Sequence, residues 1–391
     1  MSEVAFAEDA SDDIKRVEAV ADKERFLGAI EDDRFVGTAG VFDLQLSVPG
    51  GEMACGGVTW VSVLPTHRRR GLMSQMMRLM IDDCHRRGEP IAALWAAEGA
   101  IYQRFGFGLG TLALSIEADS RAFRFAREWP EEGQCRLLQA GEGREIVEPI
   151  YEPARRERTG FLRRPPQWWP GFLPDVEKDK KGGEARRLVV FETGGRAEAY
   201  AVYKTKAEWG AHGPNHTLGV EEAISSTPGG TRAIWRYLMG VDLVRTVRAS
   251  RLSIDHPLLM LAAEPRALGA RTRDGLWVRI VDASAALSGR TYGVDGHGSG
   301  RLILDLRDDY CPWNAGRWVL SVEDGRGRVE RTEAEADLAL DANDLASLFL
   351  GGFSASELAI AGRVVELRAR GIATADALFP TALKPWCPQM F

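Results

Sequence analysis

Residues 65–76 read PTHRRRGLMSQM. Arg68, Arg69 and Arg70 run into Gly71, and an amphipathic segment begins at Leu72. Guanidinium groups are fork-shaped, charge-assisted donors to phosphate oxygens. A helix N-terminus adds unpaired backbone N–H groups and the positive end of the helix dipole. Glycine at 71 allows a close backbone approach to a ligand, or a dihedral that other residues resist. Together these features suit a diphosphate. The plainer alternative is an exposed cationic loop paired with carboxylates such as Asp82 and Asp83. The strand–loop–helix context favours phosphate. The loop is not a P-loop, since no Gly-Lys-Ser/Thr follows, and no GxGxxG opens a strand–helix unit.

The elements that would position this loop are legible on either side of it. GGVTWVSVLP is a β-branched strand that ends at Pro65. Leu72, Met76, Leu79 and Met80 recur at i, i+4, i+7 and i+8, one face of a helix. Strands are expected at 25–30 and 35–42, after PGGEMACGG, and at IAALWAA (91–97), with a short helix from Gly99. A strand–helix–strand crossover implies a parallel pair inside a mixed sheet. REWPEEGQ (127–134) closes this section with the Pro/Gly/charge composition of a domain joint.

A middle section, 131–283, holds the hairpin RLVVFE–TGGR–AEAYAVYKT, then TLGVEEAIS, an STPGG turn and the amphipathic TRAIWRYLMGVDLV. Its order repeats that of the first section without the arginine run. It reads either as a degenerate duplicate or as ordinary α/β succession. The last section, 284–391, has the alternating strand RLILDL, a hairpin around EDGRGR and a capped helix in DANDLASLFLGG. The expected sections are therefore 1–130, 131–283 and 284–391, more than one core for 391 residues.

Composition excludes several classes. A net charge of −6 argues against nucleic acid and agrees with a cationic substrate. Five scattered cysteines with no CxxC point to reduced thiols in the cytoplasm, not to disulfides or structural zinc. The acidic N-terminus is unlike a signal peptide, and no apolar run is long enough to span a membrane. His212 and His216 in AHGPNH could suggest a metal, but Gly213 and Pro214 break any helix and no third ligand is evident. His67 is assigned to the structure of the loop. No metal is expected.

VSVLPTHRRRGLM and, further on, WAAEGAIYQRFGFG resemble motif A and the following segment of GCN5-related N-acetyltransferases (GNAT). In that superfamily Arg/Gln-x-x-Gly-x-Gly/Ala grips the pyrophosphate of acetyl-CoA. Arg68 takes its first position, Gly71 its fourth and Met73 its sixth. THRRRGLM, the preceding PGG, DGLWVRIVD (274–282), CPWN (311–314) and the terminal PWCPQMF are similar to the Eis family of aminoglycoside N-acetyltransferases. RRRGLL-type loops are usual there, which accommodates Met73.

The resemblance implies an α+β architecture. Two GNAT-like mixed-sheet domains, the second degenerate, would precede a sterol-carrier-like α/β domain, in a homohexamer. It places the backbone of Val61, Ser62 and Val63 on acetyl-CoA, with Arg69, Arg70, Gly71, Leu72, Met73 and Ser74 as the cradle. Ala97 and Glu98 match a further cofactor contact, although Glu98 could equally be a general base. Only 24 residues precede RFLGAI, fewer than the family's usual first strand and helix.

Acetyl transfer to an amine needs the thioester held, its oxygen polarised, the amine deprotonated and the thiolate reprotonated. Tyr102 matches the family's general acid, and a phenol is protonated at neutral pH. Read from residues alone, it could equally pack beside Phe105 and Phe107. The family's base is the chain's own terminal carboxylate, which maps to Phe391. The stiff, apolar residues before it are unlike a solvated tail. Trp60 either lines the substrate cleft or is core. The expected acceptor is a small-molecule amine of aminoglycoside type. The alternatives are a lysine or polyamine acetyltransferase, and a non-catalytic CoA or lipid carrier.

Overall fold

The computed structural model describes residues 17–130, 132–139, 141–174, 184–211 and 213–391. The first sheet grows from a long antiparallel hairpin. β1 (Phe26–Glu31) leads into β2 (Arg34–Val48), and β2 returns as β3 (Gly51–Val63). Val48 pairs with Gly51, so Pro49 and Gly50 alone reverse the chain, with Gly50 at φ 82°. Proline followed by glycine at positive φ is what a type II turn needs. The third strand therefore starts inside PGGEMACGG rather than after it.

α1 (Leu72–Arg86) then crosses to β4 (Ile91–Trp95), which lies parallel to β3, as the crossover pattern predicts. The helix buries Met76, Met77, Met80, Ile81 and Cys84. Leu79, expected on that face, is 57% exposed. The buried stripe recurs every four residues from 76 and from 77, so it is rotated away from the face that Leu79 occupies. α2 (Gly99–Gln103) and β5 (Phe107–Leu109) follow.

The sheet order is β1, β2, β3, β4, the strand Leu276–Ile280, then β5. All five residues of LWVRI are buried, and the strand is antiparallel to both neighbours. Conversely, Leu112–Asp119 pairs with Val244–Ser253 in the seven-stranded sheet. The sequence sections had kept Leu112–Asp119 within 1–130 and Leu276–Ile280 within 131–283. The two compact units are instead discontinuous. One comprises Met1–Thr111, Arg158–Arg163 and Asp274–Phe391; the other comprises Leu112–Glu157 and Arg164–Arg273. A strand whose five residues are all buried needs cover on both edges and faces, which a sheet interior provides wherever it lies in the chain.

In the second unit the strand His216–Ser225 runs parallel to Val244–Ser253 through the helix Pro228–Met239, the same crossover as β3–α1–β4. Its helix start is capped by a side chain, where that of α1 is not. Thr227 Oγ1 accepts from Gly230 N (3.0 Å) and donates to Glu198 Oε2 (2.7 Å), and Pro228 has no N–H.

The C-terminal part is a five-stranded sheet with the helices Ala342–Phe349, Ala355–Ile360 and Gly371–Leu378. The hairpin Gly316–Glu323/Arg326–Arg331 turns on Asp324 and Gly325, both at positive φ. DGLWVRIVD and CPWN meet here. Arg279, fully buried, donates to both oxygens of Asp308 (2.6 and 2.7 Å). Asn314 donates to Asp308 and to the carbonyls of Ile280 and Val281, and accepts from Ala283 N–H. These contacts tie the strand Leu276–Ile280 to the turn that carries Asp308 and Asn314. Asp308→Ala strands a buried guanidinium and is expected to cost about 3–5 kcal/mol, read as a lower denaturation midpoint.

Candidate active site

β3 and β4 are paired only at Cys55–Ile91, Gly56–Ala92 and Gly57–Ala93. From residue 58 onward, that edge of β3 has no strand partner among the described residues. Leu64 N–H donates to Val36 O (2.9 Å) on the other edge. Bonded and non-bonded pairs alternate along an antiparallel ladder. The N–H and C=O of Val63, and of Val61 before it, are therefore turned to the open edge. Their side chains pack on the core that holds Tyr102, Phe105 and Phe107. Ser62 is buried, its hydroxyl 3.0 Å from that of Thr38.

A β-bulge sits in the same stretch. Trp60 and Val61 together oppose Ala39, and Trp60 is held at φ 54°. Thr38 Oγ1 donates to Trp60 O (3.0 Å) and so ties the bulge to β2. A bulge re-aims the backbone and often does so beside active sites. Trp60 is partly buried and is not one of the core side chains.

Beyond β3, the 3-10 turn Pro65–His67 feeds the arginine loop. Arg69 (φ 66°) and Gly71 (φ 82°) both adopt left-handed backbone, and Gly71 is the N-cap of α1. A Cβ at Gly71 would meet only Gln75 Nε2, at an ordinary 4.0 Å, so φ and not crowding demands glycine there. No side chain caps the helix start, and Gln75 N–H is the first to close onto Gly71 O. The N–H groups of Leu72, Met73 and Ser74 thus stand at the positive end of a 15-residue helix without an internal acceptor.

Arg70 donates to both oxygens of Glu31 (3.0 and 3.1 Å), and His67 Nε2 lies 2.7 Å from the same carboxylate. The His67 hydrogen bond, with Arg70 beside it, holds the Glu31 carboxyl below its ordinary range. The carboxylate that meets the loop is therefore Glu31. Asp83 instead serves Arg25, Arg86 and Arg87. Arg69 is exposed and has no ion pair among the described residues, and Arg68 Nε reaches Val63 O at 3.4 Å.

Tyr102 lies on α2, 8% exposed, its ring edge-on to Phe107 at 6.1 Å. Burial pushes its phenol further above the ordinary value, so it stays protonated. Its hydroxyl has no hydrogen-bond partner among the described residues. Ala97 and Glu98 are exposed just past β4.

The chain end reaches this sheet. Residues 385–389 are buried, and Trp95 Nε1 donates to Gln389 O (2.9 Å). The Phe391 ring lies against Gly57, where its Cε2 would be 3.1 Å from an added Cβ. Gly57 is the last residue of β3 that pairs with β4. Sequence reasoning missed Gly57, Trp95, Thr38 and Glu31. None carries a local signal, because each matters only through a partner distant in sequence.

His216 Nδ1 lies 3.0 Å from both Glu208 N and Glu208 O, and His212 lies outside the described residues. No metal-binding cluster of three or more His, Cys, Asp or Glu occurs among the described residues. None of their helices is long and apolar enough to cross a membrane. No disulfide joins the described cysteines.

Residues 1–110 and 160–280 each match an acetyltransferase (GNAT) domain family, and residues 283–388 match a sterol carrier protein domain family. The chain is 36% identical over 389 residues to an uncharacterized N-acetyltransferase of Streptomyces avermitilis, covering 98% of this chain and 93% of the relative. It is 35% identical over 364 residues to N-acetyltransferase Eis of Mycobacterium tuberculosis, covering 90% and 85%. The crystal structure of Eis1 from Mycobacterium abscessus superposes with a TM-score of 0.81 at 32% identity, covering 96% of this chain and 92% of that one.

Proposed function

Because the chain belongs to the Eis family of N-acetyltransferases, within the GNAT superfamily, we propose that it acetylates aminoglycoside-like polyamines from acetyl-CoA, at more than one amino group. One observation carries the reading: β3 leaves β4 at Gly57 and runs, with an open edge, into an uncapped helix start flanked by arginines.

Arg69, Arg70 and the N–H groups of Gly71, Leu72, Met73 and Ser74 bind the diphosphate. Val61, Ser62 and Val63 orient the thioester arm along the open edge, and Ala97 and Glu98 close it from the end of β4. The incoming amine passes a proton to the Phe391 carboxylate, and its nitrogen forms a bond to the thioester carbon. A backbone N–H of the open edge meets the charge that grows on the oxygen. The C–S bond breaks with its electron pair on sulfur, Tyr102 O–H passes its proton to that sulfur, and the proton taken up by the Phe391 carboxylate returns through solvent to restore the phenol. The products are the amide and the thiol. Trp60 borders the acceptor.

The test measures thiol release from acetyl-CoA against kanamycin-like amines, polyamines and a lysine peptide. The expected result is release with the aminoglycosides and products carrying more than one acetyl group. Release confined to the peptide or to polyamines replaces the acceptor class. No release with any amine leaves a carrier. In the same assay Tyr102→Phe is expected to lower kcat about a hundredfold with the KM for acetyl-CoA unchanged. Unaltered kcat removes Tyr102 from the chemistry.

A further inference from the structure

Chain ends fray, yet the proposed base is a chain end. We propose that the segment Arg158–Arg163 is a strap that seats the C-terminal tail, with Gly160 and Trp95 as positioning residues for the terminal carboxylate. This rests on the assignment of that carboxylate as the base. The six residues belong to the first compact unit, although the chain on both sides of them belongs to the second.

One edge of the strap is stitched to β2. Gly160 N–H donates to Ser47 O (2.8 Å), Ser47 N–H to Phe161 O (2.8 Å) and Arg163 N–H to Gln45 O (2.9 Å), and Leu46 forms a bridge with Leu162. The other edge carries the tail. Trp386 N–H donates to Thr159 O (2.8 Å), and Arg158 Nε donates to Lys384 O (2.9 Å). The rings of Phe161 and Trp386 meet edge-on at 5.1 Å.

Gly160 sits at φ 100°, and a Cβ there would lie 2.8 Å from Trp386 O and 3.0 Å from its N and C. No L side chain fits while the tail is seated. From Trp386 the chain runs to Gln389, whose carbonyl takes the Trp95 indole N–H, and on to the Phe391 ring against Gly57. β2, the strap and β4 thus locate the last residues from two sides, and Pro385 and Pro388 stiffen the path between these anchors.

The experiment compares full-length Gly160→Ala, Trp95→Phe and an enzyme extended past Phe391 by a short glycine–serine run. It reads kcat, coenzyme A affinity and the pH profile. Gly160→Ala is expected to lower kcat about tenfold or more while the Kd for coenzyme A stays within about twofold. The deficit should shrink as pH rises, since an amine already neutral needs no base. Trp95→Phe should give a smaller loss of the same kind, and it carries the test if Gly160→Ala does not fold. The strap is overturned if the extension silences the enzyme while the folded substitutions keep native kcat. It is also overturned if they depress kcat equally at every pH, which is the mark of general damage. Full activity of the extended enzyme removes the base assignment itself.

Discussion

An enzyme carrying a short glycine–serine extension after Phe391 is expected to lose at least about a hundredfold in kcat while binding coenzyme A as the native chain does. The extension removes no side chain. It converts the terminal carboxylate into an amide, which cannot accept a proton from an amine, and pushes further backbone into the space where the Phe391 ring lies against Gly57. The loop proposed to hold the diphosphate lies at the other end of the open edge of β3, so affinity for the acyl donor should survive. Thiol release and calorimetry on the same preparation separate the two effects. Retained turnover would move the base elsewhere, and Glu98, exposed just past β4, becomes the next candidate.

Reversing the charge at Arg69 and Arg70 together is expected to weaken coenzyme A binding by at least about a hundredfold. Hydrogen bonds to charged groups contribute roughly 1.5–3 kcal/mol each, and here two are replaced by repulsion. A glutamate at 70 would also face Glu31, which lies 3.0 Å from Arg70 Nη1 in the native chain. Both side chains are exposed, so the fold should persist, as circular dichroism would verify. Binding to the native loop should also fall with ionic strength. Calorimetry that found the same Kd in the reversed enzyme would take the loop out of the site.

Glycines 57, 71 and 160 show how unevenly the site is written in the sequence. Gly71 announces itself, because its neighbours are arginines on one side and a helical stripe on the other. Gly57 lies in a β-branched strand, where nothing marks it as the floor under a chain end 334 residues later. Gly160 lies in RTGFLR, which reads as an ordinary loop. The plainer alternative for the arginine run paired it with Asp82 and Asp83 on α1. The actual partner, Glu31, comes from β1 across the sheet edge.

By itself the sequence determined the local grammar: the strand–arginine loop–helix unit, the hairpins, the parallel crossover in the first sheet and the order of the three family likenesses. These depend on side-chain period, turn chemistry and the unpaired N–H groups of a helix start, all set by residues a few positions apart. Tertiary structure alone decided that LWVRI would wedge between β4 and β5, that Trp60 would occupy a left-handed bulge, and that a six-residue strap would hold the tail. Such pairings are chosen by which open edges and apolar faces remain once the local elements exist. That choice is a property of the assembled sheet and of no single window of residues.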